Sequence, residues 1–186
     1  MKAFYLSVCV LALSILLFSN VFAQNKAQGK KVTITYTWNR IQSHGSNQIA
    51  VWIEDTKGKH ICTLFATKFT VKGGYTYRPV SLSEWTSKFD IKNKSKDEVD
   101  AVTGATPKAG TQVLTWNGKD QSGKVVPDGT YIIRMEANIH DADKMFFHGE
   151  IKIGGADQNT SGKITYSSPA LASGEVLFKD VLVEYK

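Results

Sequence analysis

Cysteine is nearly absent from this chain: two of its 186 residues are Cys, and one of them, Cys9, lies in an apolar N-terminal run. No Cys-x-x-Cys or Cys-x-x-Cys-His spacing occurs, which excludes the common dithiol redox and haem-attachment sites. If Cys9 leaves with a cleaved leader, an intramolecular disulfide is excluded too. Cys62 sits in the apolar stretch Ile61-Cys62-Thr63-Leu64-Phe65 and reads as a small core residue, not a nucleophile. Long apolar runs are also missing. The best, from about Val8 to Phe18, falls short of the roughly 20 residues that a spanning helix needs. The four histidines, His44, His60, His140 and His148, show no ligand spacing. His140 with Asp141 and Asp143 comes nearest to a cluster, and it reads as an outward loop histidine, so no metal site is expected. The G-x-S-x-G nucleophile elbow is absent. Neither sign of charge dominates, with 23 Lys and Arg against 17 Asp and Glu. The one basic run, Lys88, Lys92, Lys94 and Lys96, is answered by Asp97, Glu98 and Asp100, which reads as a solvated face and not a nucleic-acid surface.

What is present begins with a leader. Lys2, the apolar run, and Val21-Phe22-Ala23 before a cut predict a secretory signal peptide over residues 1–23. Cys9 lies inside the run and not after it, which argues against a lipoprotein. The mature chain, residues 24–186, is then extracytoplasmic with no membrane anchor, and it is long enough for one domain with a real core.

The mature chain reads as strands joined by turns. Thr33 to Trp38 alternates threonine with Ile34, Tyr36 and Trp38, the period of a half-buried strand. Gln48 to Glu54 puts Ile49, Val51 and Ile53 on one face, and Asp55-Thr56-Lys57-Gly58-Lys59 turns it into a hairpin with His60 to Thr67. After Gly110 come Thr111 to Trp116, turn clusters over Asn117–Lys124 and Val125–Gly129, and the clearest strand, Thr130 to His140. In that strand Tyr131, Ile133, Met135, Ala137 and Ile139 are expected inward, with Arg134, Glu136, Asn138 and His140 outward. Phe147 to Ile153 and Glu175 to Tyr185 complete the set, with Gly154-Gly155 and Asn159-Thr160-Ser161-Gly162 as loops. The expected fold is all-β: an antiparallel immunoglobulin-like β-sandwich.

Between about residues 68 and 110 the pattern changes into a long insertion. Ser81-Leu82-Ser83-Glu84 fits a capping box, and Leu82, Trp85 and Phe89 fall at helical spacing, which predicts one short helix over about 82–89. From Asp90 the insertion turns polar. Long ordered insertions of this kind are often functional. Near its end stands Asp100-Ala101-Val102-Thr103-Gly104-Ala105-Thr106.

Two resemblances bear on the whole. Trp116-Asn117-Gly118-Lys119-Asp120, Gly123 and Val126-Pro127-Asp128-Gly129-Thr130-Tyr131 with Arg134 resemble the strand-turn-strand signature of the Ig-like domain in flagellar hook-assembly proteins. A wider set takes in Val51-Trp52-Ile53-Glu54-Asp55, Gly58, Thr63-Leu64, Leu82 with Trp85, Val99 to Thr106, the Trp116 block and Glu136. It is similar to the predicted periplasmic family called domain of unknown function 2271. That family is associated with systems for extracytoplasmic flavinylation.

The heptapeptide resembles the acceptor motif of bacterial flavin transferases, D-x-x-[S/T]-G-A-[S/T]. Five constrained positions at about 5 to 8% usage each give on the order of a few chance matches per ten thousand chains of this size. The resemblance implies flavin mononucleotide (FMN) joined through its phosphate to the hydroxyl of Thr106. A threonine hydroxyl is a poor nucleophile at neutral pH, so the partner implied is an FAD-dependent flavin transferase that activates it. Gly104 and Ala105 add almost no bulk and let the backbone enter an enzyme cleft. Asp100 is expected to orient or deprotonate the hydroxyl, Thr103 fills the fourth position, and Lys108 departs from the usual further Ser or Thr. A covalent flavin implies an extracytoplasmic electron carrier working with a membrane redox protein, not a stand-alone enzyme. Trp85, Trp116, Tyr75 and Tyr77 are aromatic candidates to stack on the ring, the two tryptophans reading first as core. The alternative is a non-catalytic Ig-like module of the cell envelope with no cofactor.

Overall fold

Alternating branched and aromatic residues fold the chain from Val32 onward into a sandwich, seen in a computed structural model that describes residues 29–42, 45–139, 143–167 and 176–186. The predicted leader, His44, His140 and Asp141 lie outside the described residues. The strands are β1 (Val32–Trp38), β2 (Gln48–Asp55), β3 (His60–Thr67), β4 (Thr103–Gly104), β5 (Gly110–Trp116), β6 (Gly129–Asn138), β7 (Lys144–Ile153), β8 (Gln158–Thr160), β9 (Lys163–Tyr166) and β10 (Phe178–Tyr185). One sheet runs β5-β1-β10-β8 and the other β4-β3-β2-β6-β7-β9. Every pairing is antiparallel except the short β3–β4 contact, which is parallel. The all-β sandwich predicted from periodicity is the fold observed.

Between the sheets, β1 supplies Val32, Ile34, Tyr36 and Trp38, β2 supplies Ile49, Val51 and Ile53, and β6 supplies Tyr131, Ile133, Met135 and Ala137. Cys62 is buried in the same core, as its apolar setting implied. At the β1–β10 pairing β10 carries one extra residue between Lys179 and Leu182, opposite the step from Thr35 to Thr37. There Asp180 takes a left-handed φ of 53° and accepts a 3.2 Å hydrogen bond from the Thr37 hydroxyl, the geometry of a bulge that locally bends the strand.

The other face of the six-stranded sheet differs from expectation. Glu136 and Asn138, expected outward, lie outside the inter-sheet core yet are fully buried, as are Ala50 and Trp52 of β2. The insertion lies over this face and builds a second core with Val71, Leu82, Trp85, Phe89, Ile91 and Val102. It carries two longer helices instead of the one predicted: α1 (Ser83–Phe89) and α2 (Lys96–Val102).

The capping box predicted at Ser81–Glu84 is not formed. Leu82 sits left-handed at φ 49°, with its side chain in the second core, and no side chain caps α1 locally. Ser81 instead joins a buried polar chain through the Thr70 hydroxyl at 3.1 Å and Asn138 Oδ1 at 3.3 Å. The capping box of this protein lies further on, where Ser95 Oγ accepts from the Glu98 backbone and Glu98 accepts from the Ser95 backbone. The Ser95 backbone N–H, then hydrogen bonds from the Lys94 ammonium and the Ser95 hydroxyl, pull the Glu98 carboxyl down to about 2. A second correction concerns Asn159-Thr160-Ser161-Gly162, read as a loop: β8 covers its first half.

His60 shows how the insertion grips the sheet. The Trp85 indole N–H donates to the Thr63 hydroxyl at 3.0 Å, and the same hydroxyl is hydrogen-bonded to His60 Nε2 at 2.8 Å. Burial, followed by the charges of Lys94 and Lys88, pushes the imidazole down to about 4. The sign follows: the unfolded chain takes up this proton below about pH 6.5 while the folded chain refuses it, so stability is lost as pH falls towards about 4. Urea midpoints near pH 7 and about pH 4.5 should show a drop about 2–3 kcal/mol smaller in His60→Gln than in the parent. An equal drop in both chains would contradict this account.

Candidate functional site

The heptapeptide is where the insertion returns to the sandwich. Asp100, Ala101 and Val102 form the last turn of α2, and Val102 is anchored in the second core. Thr103 and Gly104 then run parallel beside Ala66 and Thr67 at the end of β3. Residues 105–109 belong to no helix or strand, and β5 begins at Gly110. Thr106 therefore lies on a short irregular bridge between two anchored ends.

The two motif hydroxyls are held differently. Thr103 Oγ1 donates to the Val99 carbonyl at 2.6 Å, a strong local bond within the helix end. Among the described residues Thr106 Oγ1 has one partner, the carbonyl of Asn47, at 3.4 Å, the outer limit of a hydrogen bond. Releasing the Thr106 hydroxyl to an approaching enzyme therefore costs little, and Ala105 beside it is exposed.

Gly104 has a reason of its own. A Cβ built on it would come within 2.2 Å of the Phe65 ring, so the chain presses here directly on an aromatic of β3. A side chain at this position would push the bridge off the sheet edge. The bridge thus offers a lightly held hydroxyl, an exposed alanine beside it and backbone anchored on either side.

Asp100 is not joined to Thr106. Its carboxylate pairs with Lys96, one turn earlier on α2, at 2.6 Å and with Lys72 from the start of the insertion. It ties α2 to the preceding segment and does not contact the hydroxyl it was expected to orient or deprotonate. The sequence reading also missed Asn47, whose carbonyl holds Thr106, and Phe65, which dictates Gly104. Neither carried a local signal, because both act across strands. Ser95-Lys96-Asp97-Glu98, by contrast, was a readable capping pattern.

The remaining candidates fall away from the site. Trp85 stacks on Phe89 at 5.2 Å, and Trp116 meets Tyr131 edge-on at 5.1 Å; both tryptophans are core. Tyr75 packs against the second core, whereas Tyr77 is 85% exposed. Burial, with the charge of Asp120, pushes the Cys62 thiol up to about 12, which removes it as a nucleophile. His148 contacts Arg134 and Glu150, and no group of metal-ligating residues exists among the described residues. The basic run is salted: Lys94 pairs with Glu98, Lys96 with Asp100 and Lys88 with Glu54.

The fold is a β-sandwich whose outer face carries a helical insertion, and no helix among the described residues is long and apolar enough to cross a membrane. The chain belongs to the family described as predicted periplasmic protein (DUF2271), whose model matches residues 29–168, and its localisation is periplasmic. The match spans the insertion, the heptapeptide and nine of the ten strands. No curated protein and no solved structure matches the chain.

Gly104→Ala should lower stability by about 1–2 kcal/mol through overpacking against Phe65. The loss should shrink in a Phe65→Leu background, which thermal melts of the four chains of the cycle would show. The same loss in both backgrounds would mean that the ring is not what excludes a side chain there.

Proposed function

We propose that this protein is a periplasmic electron carrier whose FMN is attached through a phosphoester to Thr106. The observation that carries the reading is the contrast within the motif: Thr103 is tightly bonded to its own helix, while Thr106 is held by one bond at 3.4 Å on an irregular bridge. The donor is FAD, supplied to a flavin transferase. A bond forms between Thr106 Oγ and the FMN phosphorus as the pyrophosphate bond breaks. AMP leaves, and the hydroxyl proton passes to a base of the transferase. Since Asp100 is engaged with Lys72 and Lys96, activation of the hydroxyl falls to the transferase.

The attached isoalloxazine supplies one- and two-electron transfer. This chain's residues hold its anchor: Val102 fixes one side of the bridge, Gly104 seats it on Phe65, and β5 takes up the chain beyond. A membrane redox protein is the electron partner, which the tether lets the flavin meet without diffusing away. Of the four aromatic candidates Tyr77, largely exposed on the insertion, is the one left free of the core to cover the ring.

Coexpression with a flavin transferase and export, followed by intact-mass measurement, tests the reading. The parent and Thr106→Ser should each gain one FMN less water, and Thr106→Ala should gain nothing. An unmodified parent beside a modified control substrate would sink the proposal and leave the cofactor-free binding module in its place.

A further inference from the structure

We infer that the protein forms a two-fold dimer in which β5 pairs antiparallel with the β5 of a second copy, centred on Val113. Sheet edges present unpaired backbone N–H and C=O groups, and proteins ordinarily blunt them with short strands, charges, proline or bulges. Three of the four edges here are blunted: β4 has two residues, β8 has three, and β9 has four including Lys163.

The fourth is not. β5 runs for seven residues, Gly110-Thr111-Gln112-Val113-Leu114-Thr115-Trp116, without a charge or a proline. It pairs with β1 in unbroken register from Val32–Trp116 to Trp38–Gly110, so no bulge turns it aside. Among the described residues β5 has β1 as its one strand neighbour. The side chains it shows are apolar or hydroxylic: Val113 is 59% exposed, and Leu182, on the other side of Thr35 in the same cross-strand row, is 38% exposed. Leu114, half-buried, lies on the core side of the strand.

A second copy is the occupant that this strand fits. Its sequence is close to symmetric about Val113, with threonine two residues away on each side. An antiparallel pair about a two-fold axis sets Val113 opposite its own copy and Thr111 opposite Thr115. β-Branched cross-strand partners of this kind favour pairing. No charge meets a like charge, although each chain is net basic. The two four-stranded sheets become one sheet of eight strands, and the row Leu182–Thr35–Val113 continues across the axis. Because the strands oppose, the two Gly110 ends, and with them the two Thr106 bridges, lie about 20 Å apart along the strand direction and remain open. The inference stands whether or not Thr106 carries a flavin.

Sedimentation velocity of residues 24–186 over a range of concentrations should show a reversible dimer. Val113→Lys places two ammonium groups across the axis and should raise the dimer dissociation constant by about tenfold or more. At 59% exposure the site can accept lysine, so the far-UV spectrum and melting temperature should hold. Under oxidation Val113→Cys should form a disulfide-linked dimer, while Thr111→Cys alone should not, since it faces Thr115; the native thiol, Cys62, is buried. A parent chain monomeric at every concentration would overturn the inference. A dimer indifferent to Val113→Lys, or equal cross-linking by both cysteine variants, would overturn it as well.

Discussion

The carboxylate of Glu136 is buried in the outer face of the six-stranded sheet, where it takes the place of an N-cap for α1. Its Oε2 accepts the backbone N–H of Trp85 at 2.9 Å, and Lys144 stands 3.5 Å from Oε1 while donating to the Ser83 hydroxyl. Burial pushes the carboxyl upward, opposed by the Trp85 N–H and by Lys144. Stranding one partner of such a buried arrangement costs about 3–5 kcal/mol, a large share of the 5–15 kcal/mol typical of a domain. A strand residue thus fastens the first helix of the insertion. Beside it a buried polar chain runs from Gln48 through Thr70 and Ser81 to Asn138.

From that fastening the position of the heptapeptide follows. α1 and α2 share one apolar core over the sheet, so fixing α1 fixes Val102 and therefore the point where the chain leaves α2. The next two residues are pinned beside β3, and the bridge carrying Thr106 has no freedom to wander from the sheet edge. Anchors on both sides thus hold an irregular, lightly bonded segment at the sheet edge. A motif buried within a helix or a ladder would have its hydroxyl and backbone already engaged, as Thr103 does.

Much of the sandwich was legible because strand periodicity is local. β1, the β2–β3 hairpin and the inward residues of β6 all follow from alternation of apolar and polar positions. The burial of the outward residues of β6 was not legible, for the same reason. Alternation says that Glu136 and Asn138 leave the inter-sheet core, but only the tertiary fold reveals a second layer waiting for them. Ser81 and Ser95 carry the same capping pattern, and only Ser95 uses it, since Leu82 turns left-handed to reach the second core. In the motif, Gly104 could be read as small but not as seated on Phe65, 39 positions away in sequence, and Asp100 could not be seen to prefer Lys72 and Lys96 over Thr106.

The central claim concerns one oxygen atom, and peptide mapping addresses it directly. Trypsin releases Asp97 to Lys108 as a single peptide containing both motif threonines and no other hydroxyl residue. In protein exported from cells holding an active flavin transferase, fragmentation of that peptide should place one FMN on Thr106 and none on Thr103. The same peptide recovered unmodified, or modified on Thr103, while a control acceptor in those cells is fully flavinylated, would contradict the account.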